Sequence, residues 1–280
     1  MLTGFLLFVF FVQLRAEDIT FADANVKALC VANWDEDKNG ELSKDEAAAV
    51  TTLGTVFREQ TNISTFEELK YFTGLTSISD YAFYRSSITG ELRVPGNIKS
   101  IGSYAFNGCN RLTSVILEEG VETVGWHAFS GPIRMFSMPA SLNNMSSMAI
   151  DPYVNVDPTS SVFVPTGDLY VYIRSAVPAA INEFAFYYTF GDCHLIVPFG
   201  CLEAYKAASA WSHFKEYLEA GDVNGDGALN VKDVISMNAY IMKNAPSHFD
   251  ERLADLNGDG NINVKDVTLM CSWIMQQNQE

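Results

Sequence analysis

The sequence predicts an α+β fold in which a solenoid of short repeats is flanked by helical segments built around acidic loops. Two observations carry this prediction. Phe83, Phe106 and Phe129 each close an Ala-Phe pair, and they recur at equal intervals through the middle of the chain. Twelve-residue segments rich in Asp and Asn occur near both ends of the chain. Regular repeats of about 20–29 residues are typical of stacked solenoids, in which each copy completes its core against its neighbours.

The composition excludes several classes of protein. Hydrophobic residues make up 48% of the 280 residues and charged residues 19%, which is inconsistent with a mostly disordered chain. The 34 acidic and 18 basic residues give a net charge of −16. Nucleic acids and anionic membranes require clustered Lys and Arg, so neither is an expected partner. An acidic chain of this kind suits a bound cation.

The N-terminus resembles a signal peptide. Residues 6–12 are an apolar run too short to span a bilayer, and Ala16 is a plausible last residue before cleavage. We therefore expect residues 1–16 to be removed on export. No Lys or Arg precedes the run, and a buried first strand is the alternative interpretation.

Two segments near the C-terminus, residues 222–233 and 255–266, have the residue pattern of calcium-binding loops. Such a loop needs oxygen ligands at positions 1, 3, 5, 7, 9 and 12, with a glycine at position 6 where the chain turns sharply. Gly227 and Gly260 occupy that sixth position. We expect the following ligands, with Ala228 and Asn261 contributing backbone carbonyls: Asp222, Asn224, Asp226, Ala228, Asn230 and Asp233 in the first loop, and Asp255, Asn257, Asp259, Asn261, Asn263 and Asp266 in the second.

Each C-terminal loop is followed by an amphipathic run, residues 231–244 and 264–277, with apolar side chains at helical spacing. The runs predict a packed pair of helices. A unit of about 60 residues builds little core alone, so cation binding is expected to contribute much of its folding energy.

A third acidic segment, residues 35–46, lies near the N-terminus between two runs predicted to be helical, 24–34 and 44–53. Gly40 makes the turn, and Glu46 at the last position can bind calcium through both oxygens. Residues 17–62 therefore predict an EF-hand-like helix–loop–helix segment. A solvated acidic turn of weak affinity is the alternative. The expected ligands are Asp35, Asp37, Asn39, the Glu41 carbonyl, Ser43 and Glu46.

The middle of the chain combines an apolar turn with a short strand in each repeat. Degraded copies of the Ala-Phe signature occur at 145–150 and 181–186. One strand and one apolar turn per about 20–29 residues predict a leucine-rich-repeat solenoid, with Phe83, Phe106, Phe129 and Phe186 in its core. The predicted strands include residues 92–95, 115–118, 136–139, 162–165 and 195–198.

This stretch resembles the BspA-like leucine-rich repeats of bacterial surface proteins. The segment from Ile101 to Leu112, IGSYAFNGCNRL, matches the repeat unit of that family, and the other copies match it in part. The resemblance implies a solenoid over residues 63–218, closed by a capping helix that carries Tyr205, Trp211 and Phe214. It implies a secreted or bacterial cell-surface location more than any one activity.

The order of loop, helix, linker, loop and helix resembles a type I dockerin, over residues 219–280. That resemblance implies two Ca²⁺ ions and docking onto a cohesin domain of another protein. Members of the family use the two residues before the last ligand for recognition, which here are Val231 with Lys232 and Val264 with Lys265. Identical pairs imply docking in two orientations. The alternative is that each Val faces the core and each Lys faces solvent.

No sequence motif for catalysis is present. The four histidines are scattered, and no nucleophile elbow, P-loop or dinucleotide fingerprint occurs. Among the five cysteines, Cys193 and Cys201 are the candidates for a disulfide. We expect an exported, non-catalytic, calcium-binding interaction protein, whose solenoid is a recognition surface and whose C-terminal module docks onto a cohesin-type partner. The alternatives are a cell-surface adhesin, or an accessory subunit or hydrolase of a polysaccharide-degrading complex.

Overall fold

The computed structural model describes residues 16–155, 163–165, 167–186 and 193–277. The predicted signal peptide lies outside these residues, except for Ala16. The helices are α1 (Ala24–Trp34), α2 (Lys44–Ala49), α3 (Leu202–Ala207), α4 (Val231–Ile241) and α5 (Val264–Gln277). None of the helices in the described part of the chain has both the length and the hydropathy that a membrane span requires.

The strands are short, as expected of a solenoid in which each repeat contributes one rung to each sheet. In chain order they are β1 (Ser77–Ile78), β2 (Thr89–Val94), β3 (Ser100–Ile101), β4 (Phe106–Asn107), β5 (Arg111–Leu117), β6 (Thr123–Val124), β7 (Phe129–Ser130), β8 (Met135–Met138), β9 (Asn144–Met145), β10 (Ile150–Asp151), β11 (Tyr153–Asn155), β12 (Phe163–Pro165), β13 (Leu169–Ile173), β14 (Cys193–Pro198) and β15 (Glu216–Ala220).

The middle of the chain is a β-solenoid, which confirms the predicted fold class. A six-stranded parallel sheet has the order β15-β14-β13-β8-β5-β2. A four-stranded sheet (β1-β3-β6-β9) and a three-stranded sheet (β10-β7-β4) stack the remaining parts of the repeats in parallel. Each repeat therefore lies against the next one, and their apolar side chains form one continuous core.

A column of phenylalanine rings runs through that core. Phe83, Phe106 and Phe129 are fully buried, and consecutive ring centroids lie 4.8 and 5.1 Å apart with nearly parallel planes. Phe186 packs partly buried against the same core. The prediction that these four rings are core residues agrees with the structure, and the equal spacing of the first three in sequence is the length of one turn of the solenoid.

The repeat motif places a residue with positive φ before each Ala-Phe pair. Tyr81, Tyr104 and His127 have φ of 60°, 58° and 47°. In the third of these copies a glycine two residues earlier is required by a close approach, because a Cβ on Gly125 would lie 2.7 Å from backbone atoms of the preceding repeat. The constant spacing in the sequence thus follows from the backbone path of each turn.

One predicted strand was placed in the wrong sheet. Of the predicted strand 162–165, the described residues 163–165 form β12, which pairs antiparallel with β11 and is not a rung of the six-stranded sheet. The rung between β8 and β14 is β13, in which Leu169, Val171 and Ile173 point inward. An insertion between β8 and β13 makes this repeat longer than the others, so the period of the earlier repeats does not locate its strand.

The cap at the end of the solenoid also differs from the prediction, because it consists of several short segments and not of one helix. α3 ends at Ala207 and is followed by a 3-10 turn, Ser209–Trp211, before β15 adds the last rung of the sheet. Tyr205 and Trp211 are fully buried, and Phe214 is 9% exposed. The three aromatic residues therefore close the core as expected, although they lie on three separate segments.

Three of the five cysteines serve as small core residues, and the five form no disulfide among themselves. Cys193 and Cys201 form no disulfide with each other, so the pairing that the sequence allowed is absent. Cys30, Cys109 and Cys193 are buried. Burial raises the pKa of the Cys109 thiol to about 11, which keeps it protonated and unreactive at neutral pH.

Candidate functional site

The first C-terminal loop folds around the side chains predicted to bind calcium. Asp222 accepts hydrogen bonds from the backbone N–H groups of Asp226 (3.1 Å) and Gly227 (2.9 Å). The Asn224 side-chain oxygen accepts from Asp226 as well (2.9 Å), and the Ala228 carbonyl accepts from Asn230 (2.9 Å). These bonds hold the odd-numbered positions toward the inside of one tight turn.

The second loop repeats the same bonds at the equivalent positions. Asp255 accepts from Asp259 (3.0 Å) and Gly260 (2.7 Å), and the Asn257 oxygen accepts from Asp259 (2.8 Å). The Asn261 carbonyl accepts from Asn263 (2.9 Å). The two loops are therefore geometric copies, as their sequences predict.

The last residue of each loop ties the loop to the helix that follows. Asp233 accepts from Asn230 N–H (2.9 Å) and Asn224 N–H (3.3 Å), and Asp266 bonds to the second loop in the same way. Asn230 in turn caps α4 by accepting from Lys232 N–H. Loop geometry and helix start are thus fixed by one set of side chains.

The burial of these carboxylates fits a cation. Asp233 and Asp266 are fully buried, and no Lys or Arg pairs with either of them among the residues that the structure describes. Burial raises the pKa of Asp233, and the nearby charges of Asp222 and Asp226 raise it further. A buried carboxylate without a cationic partner is costly, and a divalent cation removes that cost.

The second loop is the more deeply buried of the two. Burial raises the pKa of Asp255 to about 6, and the charges of Asp266 and Asp259 add to the effect. Carboxylate and amide oxygens are the ligands that Ca²⁺ prefers, and His or Cys ligands are absent from both loops. The donor set therefore fits calcium in both C-terminal loops.

The N-terminal loop also gathers its acids. Oxygen atoms of Asp35, Asp37 and Glu46 lie within 4.8 Å of one another. Although partial burial acts to raise the pKa of Glu46, hydrogen bonds from Ser43 and from the loop backbone hold it below its usual range. Glu46 therefore stays ionised at neutral pH and can serve as a cation ligand.

The other predicted ligands of this loop have additional partners. Asn39 accepts from Glu41 N–H (2.7 Å), which closes the turn. Ser43 caps α2, and its hydroxyl donates to Glu46 (2.7 Å). The side chain of Glu41 forms an ion pair with Lys27. The predicted ligand at this position is the backbone carbonyl of Glu41, which takes no part in that ion pair.

No second acidic loop is adjacent in sequence to the N-terminal loop. A short segment before α1 supports this loop instead. Ile19 N–H donates to the Leu42 carbonyl (2.8 Å), and Lys44 N–H donates to the Glu17 carbonyl (2.9 Å). An antiparallel bridge joins Asp18 to Ser43. The pairing that EF-hand-like loops usually make with each other is made here with residues 17–19.

The predicted recognition residues stand on the surface at the starts of α4 and α5. Val231 is 63% exposed and Val264 is 69% exposed. Lys232 and Lys265 are exposed as well, and each forms an ion pair with the loop acid six residues before it. The alternative that the valines face the core is therefore wrong, because both pairs lie outward.

The sequence interpretation missed that the C-terminal module packs on the six-stranded sheet. Ile196 of β14 belongs to the same apolar cluster as Leu256 and Met270 of the module, with Tyr172 packed against it. Arg252 of the module stacks on Tyr170 of β13, 5.6 Å from the ring centroid. The signal was present in the strand alternation, which turns these sheet residues away from the solenoid core.

Comparison with known protein families identifies both modules. Residues 54–154 match the BspA type leucine rich repeat region in six copies, and residues 220–273 match the dockerin type I domain. The searches of curated proteins and of solved structures gave no significant match. Both modules are of non-catalytic kinds, dockerin domains bind cohesin domains, and type I dockerins bind calcium. Together they support a role in protein–protein interaction.

Proposed function

Because this chain carries a BspA-type leucine-rich-repeat region and a dockerin type I domain, we propose that it is an exported adaptor whose C-terminal module docks onto a cohesin domain in a calcium-dependent manner. Both kinds of module are typical of extracellular or surface proteins. The solenoid carries the recognition surface, and the dockerin domain tethers it to the partner.

One observation supports the docking surface most directly. Val231 and Val264 are large apolar side chains with most of their surface in solvent, and each stands at the first position of its helix beside an exposed lysine. Buried apolar area stabilises association, while the flanking lysines contribute charge complementarity. Two equivalent patches of this kind support docking in either of two orientations.

Calcium supplies the positive charge that allows the loop acids to lie close together when it is bound. The chain's own part is to position the ligands: Asp222 and Asp255 begin the loops, and Asp233 and Asp266 join them to α4 and α5. The orientation of each helix start therefore depends on the loop before it. For this reason we propose that chelation disorders both docking patches.

The test is capture of the purified chain by immobilised cohesin domains, with calcium and with EGTA. We expect capture in calcium only. Val231→Asp and Val264→Asp each place an acid at the first turn of a helix, where it is well tolerated. Because either patch can dock, each single variant should retain capture and the double variant should lose it.

Val177→Asp is the matched control, since Val177 is a 72% exposed valine of the solenoid outside the module. That variant should be captured like the unaltered chain. Failure of every cohesin to capture the chain in calcium would contradict the docking function.

The packing of the module against the sheet favours one second candidate, a surface adhesin in which the module serves as an intramolecular anchor. The same capture experiment separates the two functions, because an anchor of this kind requires no second chain.

A further inference from the structure

The two C-terminal loops are copies in sequence, but their surroundings differ. Gly225 and Gly258 occupy the fourth position of their loops with φ of 71° and 68°. A Cβ added to Gly225 would meet nothing within 4 Å, whereas one on Gly258 would lie 2.6 Å from Ser137 Oγ. The first loop therefore faces solvent at this position, and the second rests on the solenoid.

The sixth position shows the same difference. Gly227 has nothing within 4 Å of an added Cβ, while Gly260 has Glu91, Arg93 and Ile116 at 3.1, 3.4 and 3.5 Å. Ile116 is 1% exposed although it points away from the solenoid core. The second loop covers it.

Two arginines of the solenoid, one in β2 and one directly after β13, hold the backbone of the second loop. Arg174 donates to the carbonyl of Asn257 (3.1 Å), and Arg93 donates to the carbonyl of Asp259. Both guanidinium groups have an acidic neighbour on the solenoid: Glu91 lies 3.0 Å from Arg93 and Glu119 lies 3.7 Å from Arg174. Their charges are therefore largely balanced before any cation arrives, and their main effect on the loop is to fix its path.

We propose that the solenoid is a structural part of the second calcium site, so that the two sites of the module have unequal affinities. This inference rests on the proposed calcium-binding function. The side chains of Asn257 and Asp259 are predicted calcium ligands, and their carbonyls accept from Arg174 and Arg93, so ion binding and the solenoid contacts favour one loop conformation. A loop already held in its bound conformation loses less freedom when the ion binds, and it binds more tightly.

The coupling is reciprocal by thermodynamic necessity. Calcium in the second loop strengthens the attachment of the module to the solenoid, and detachment of the module weakens that calcium site. The first loop, which touches no part of the sheet at its glycines, carries no such coupling. Calcium in the second loop is thus coupled to the attachment of the docking module to the solenoid.

Matched alanine substitutions test the proposal by calorimetric calcium titration of the full chain, with the N-terminal loop disabled by Asp35→Ala. Gly225→Ala and Gly258→Ala impose the same backbone strain, because both glycines have nearly the same left-handed φ. The difference between the two variants therefore reports the contact with Ser137. We expect Gly258→Ala to weaken its site about tenfold more than Gly225→Ala weakens the other.

Ser137→Ala provides the rescue. Ser137 Oγ is buried and has no hydrogen-bond partner among the residues that the structure describes, so its removal leaves no other group unpaired. Combined with Gly258→Ala, it should reduce the loss of affinity at the second site to the loss that Gly225→Ala causes at the first site. Combined with Gly225→Ala, it should change nothing.

Arg93→Ala tests the clamp without adding an atom to the loop. This variant should weaken calcium binding at the second loop about threefold to tenfold and leave the first loop unchanged. Arg58→Ala is the control, because Arg58 lies over Tyr81 and Tyr84 elsewhere on the solenoid.

Equal losses in the two glycine variants, or failure of Ser137→Ala to rescue, would overturn the inference while leaving a two-site calcium module intact. Absence of any calcium uptake by the C-terminal loops of the unaltered chain would overturn the proposed function as well.

Discussion

Replacing Asp233 by asparagine removes the charge that closes the first C-terminal loop while keeping the size of the side chain. Asp233 is fully buried and faces two further acids, Asp222 and Asp226, without a cationic partner among the described residues. Burial and these neighbours raise its pKa, so its ionised form is less favourable in the folded chain than in the unfolded chain at neutral pH. Bound calcium stabilises the ionised form of Asp233 in the folded chain.

The cost of the substitution should therefore depend on calcium. In chelator, Asp233→Asn should cost little stability, since relief of the uncompensated buried charge offsets the hydrogen bond that the amide nitrogen cannot accept. With calcium at 100 times the dissociation constant, a bound site contributes about 2.7 kcal/mol, which the variant loses. For a module of about 60 residues, that loss lowers the melting temperature of the module by roughly 10–20 °C.

Differential scanning calorimetry of the full chain, in calcium and in EGTA, measures the change in stability under both conditions. Asp45→Asn is the control, because Asp45 is an exposed acid on α2. A variant that is less stable than the unaltered chain by the same amount in both conditions would refute the reasoning, since its effect would then be independent of calcium.

Two further predictions concern the solenoid and the N-terminal segment. Phe106→Ala removes the middle ring of the Phe83–Phe129 column and should cost about 3–5 kcal/mol in urea unfolding, and a cost under about 1 kcal/mol would contradict a continuous core. Asp23 caps α1, and although burial acts to raise its pKa, two hydrogen bonds from Ser64 hold that pKa below the usual 3.8. Asp23→Asn should therefore cost about 1 kcal/mol at neutral pH, and the difference should vanish as the pH falls below the pKa of the folded chain; a loss that persists in acid would be inconsistent with this role.

The local parts of this structure could be predicted because their signals lie within one segment. The loop positions from Asp222 to Asp266 follow from calcium geometry alone, and α1 and α5 begin and end where their apolar periodicity does. The column of rings at Phe83 and Phe106 follows from the constant spacing of the repeat. In the loops and helices the partners in space are close in sequence, and in the column of rings they lie one repeat apart.

The errors occurred where the partner lies far away in sequence. An insertion after β8 broke the period, so β13 was missed and residues 162–165 were placed in the sheet in its stead. The packing of the module on the sheet was also missed. Strand alternation indicates which residues point away from the solenoid core, but it does not identify what covers them, because a single Arg93 or Ser137 on a strand has the pattern of an ordinary solvent-facing residue. Only the folded chain shows that the second loop covers them.

Calorimetric titration of the full chain with calcium, in the Asp35→Ala background, tests the central claim most directly. The account predicts that the C-terminal module takes up two ions and that its thermal transition moves to higher temperature as they bind. Uptake of fewer than two ions, or a module equally stable in EGTA, would contradict it.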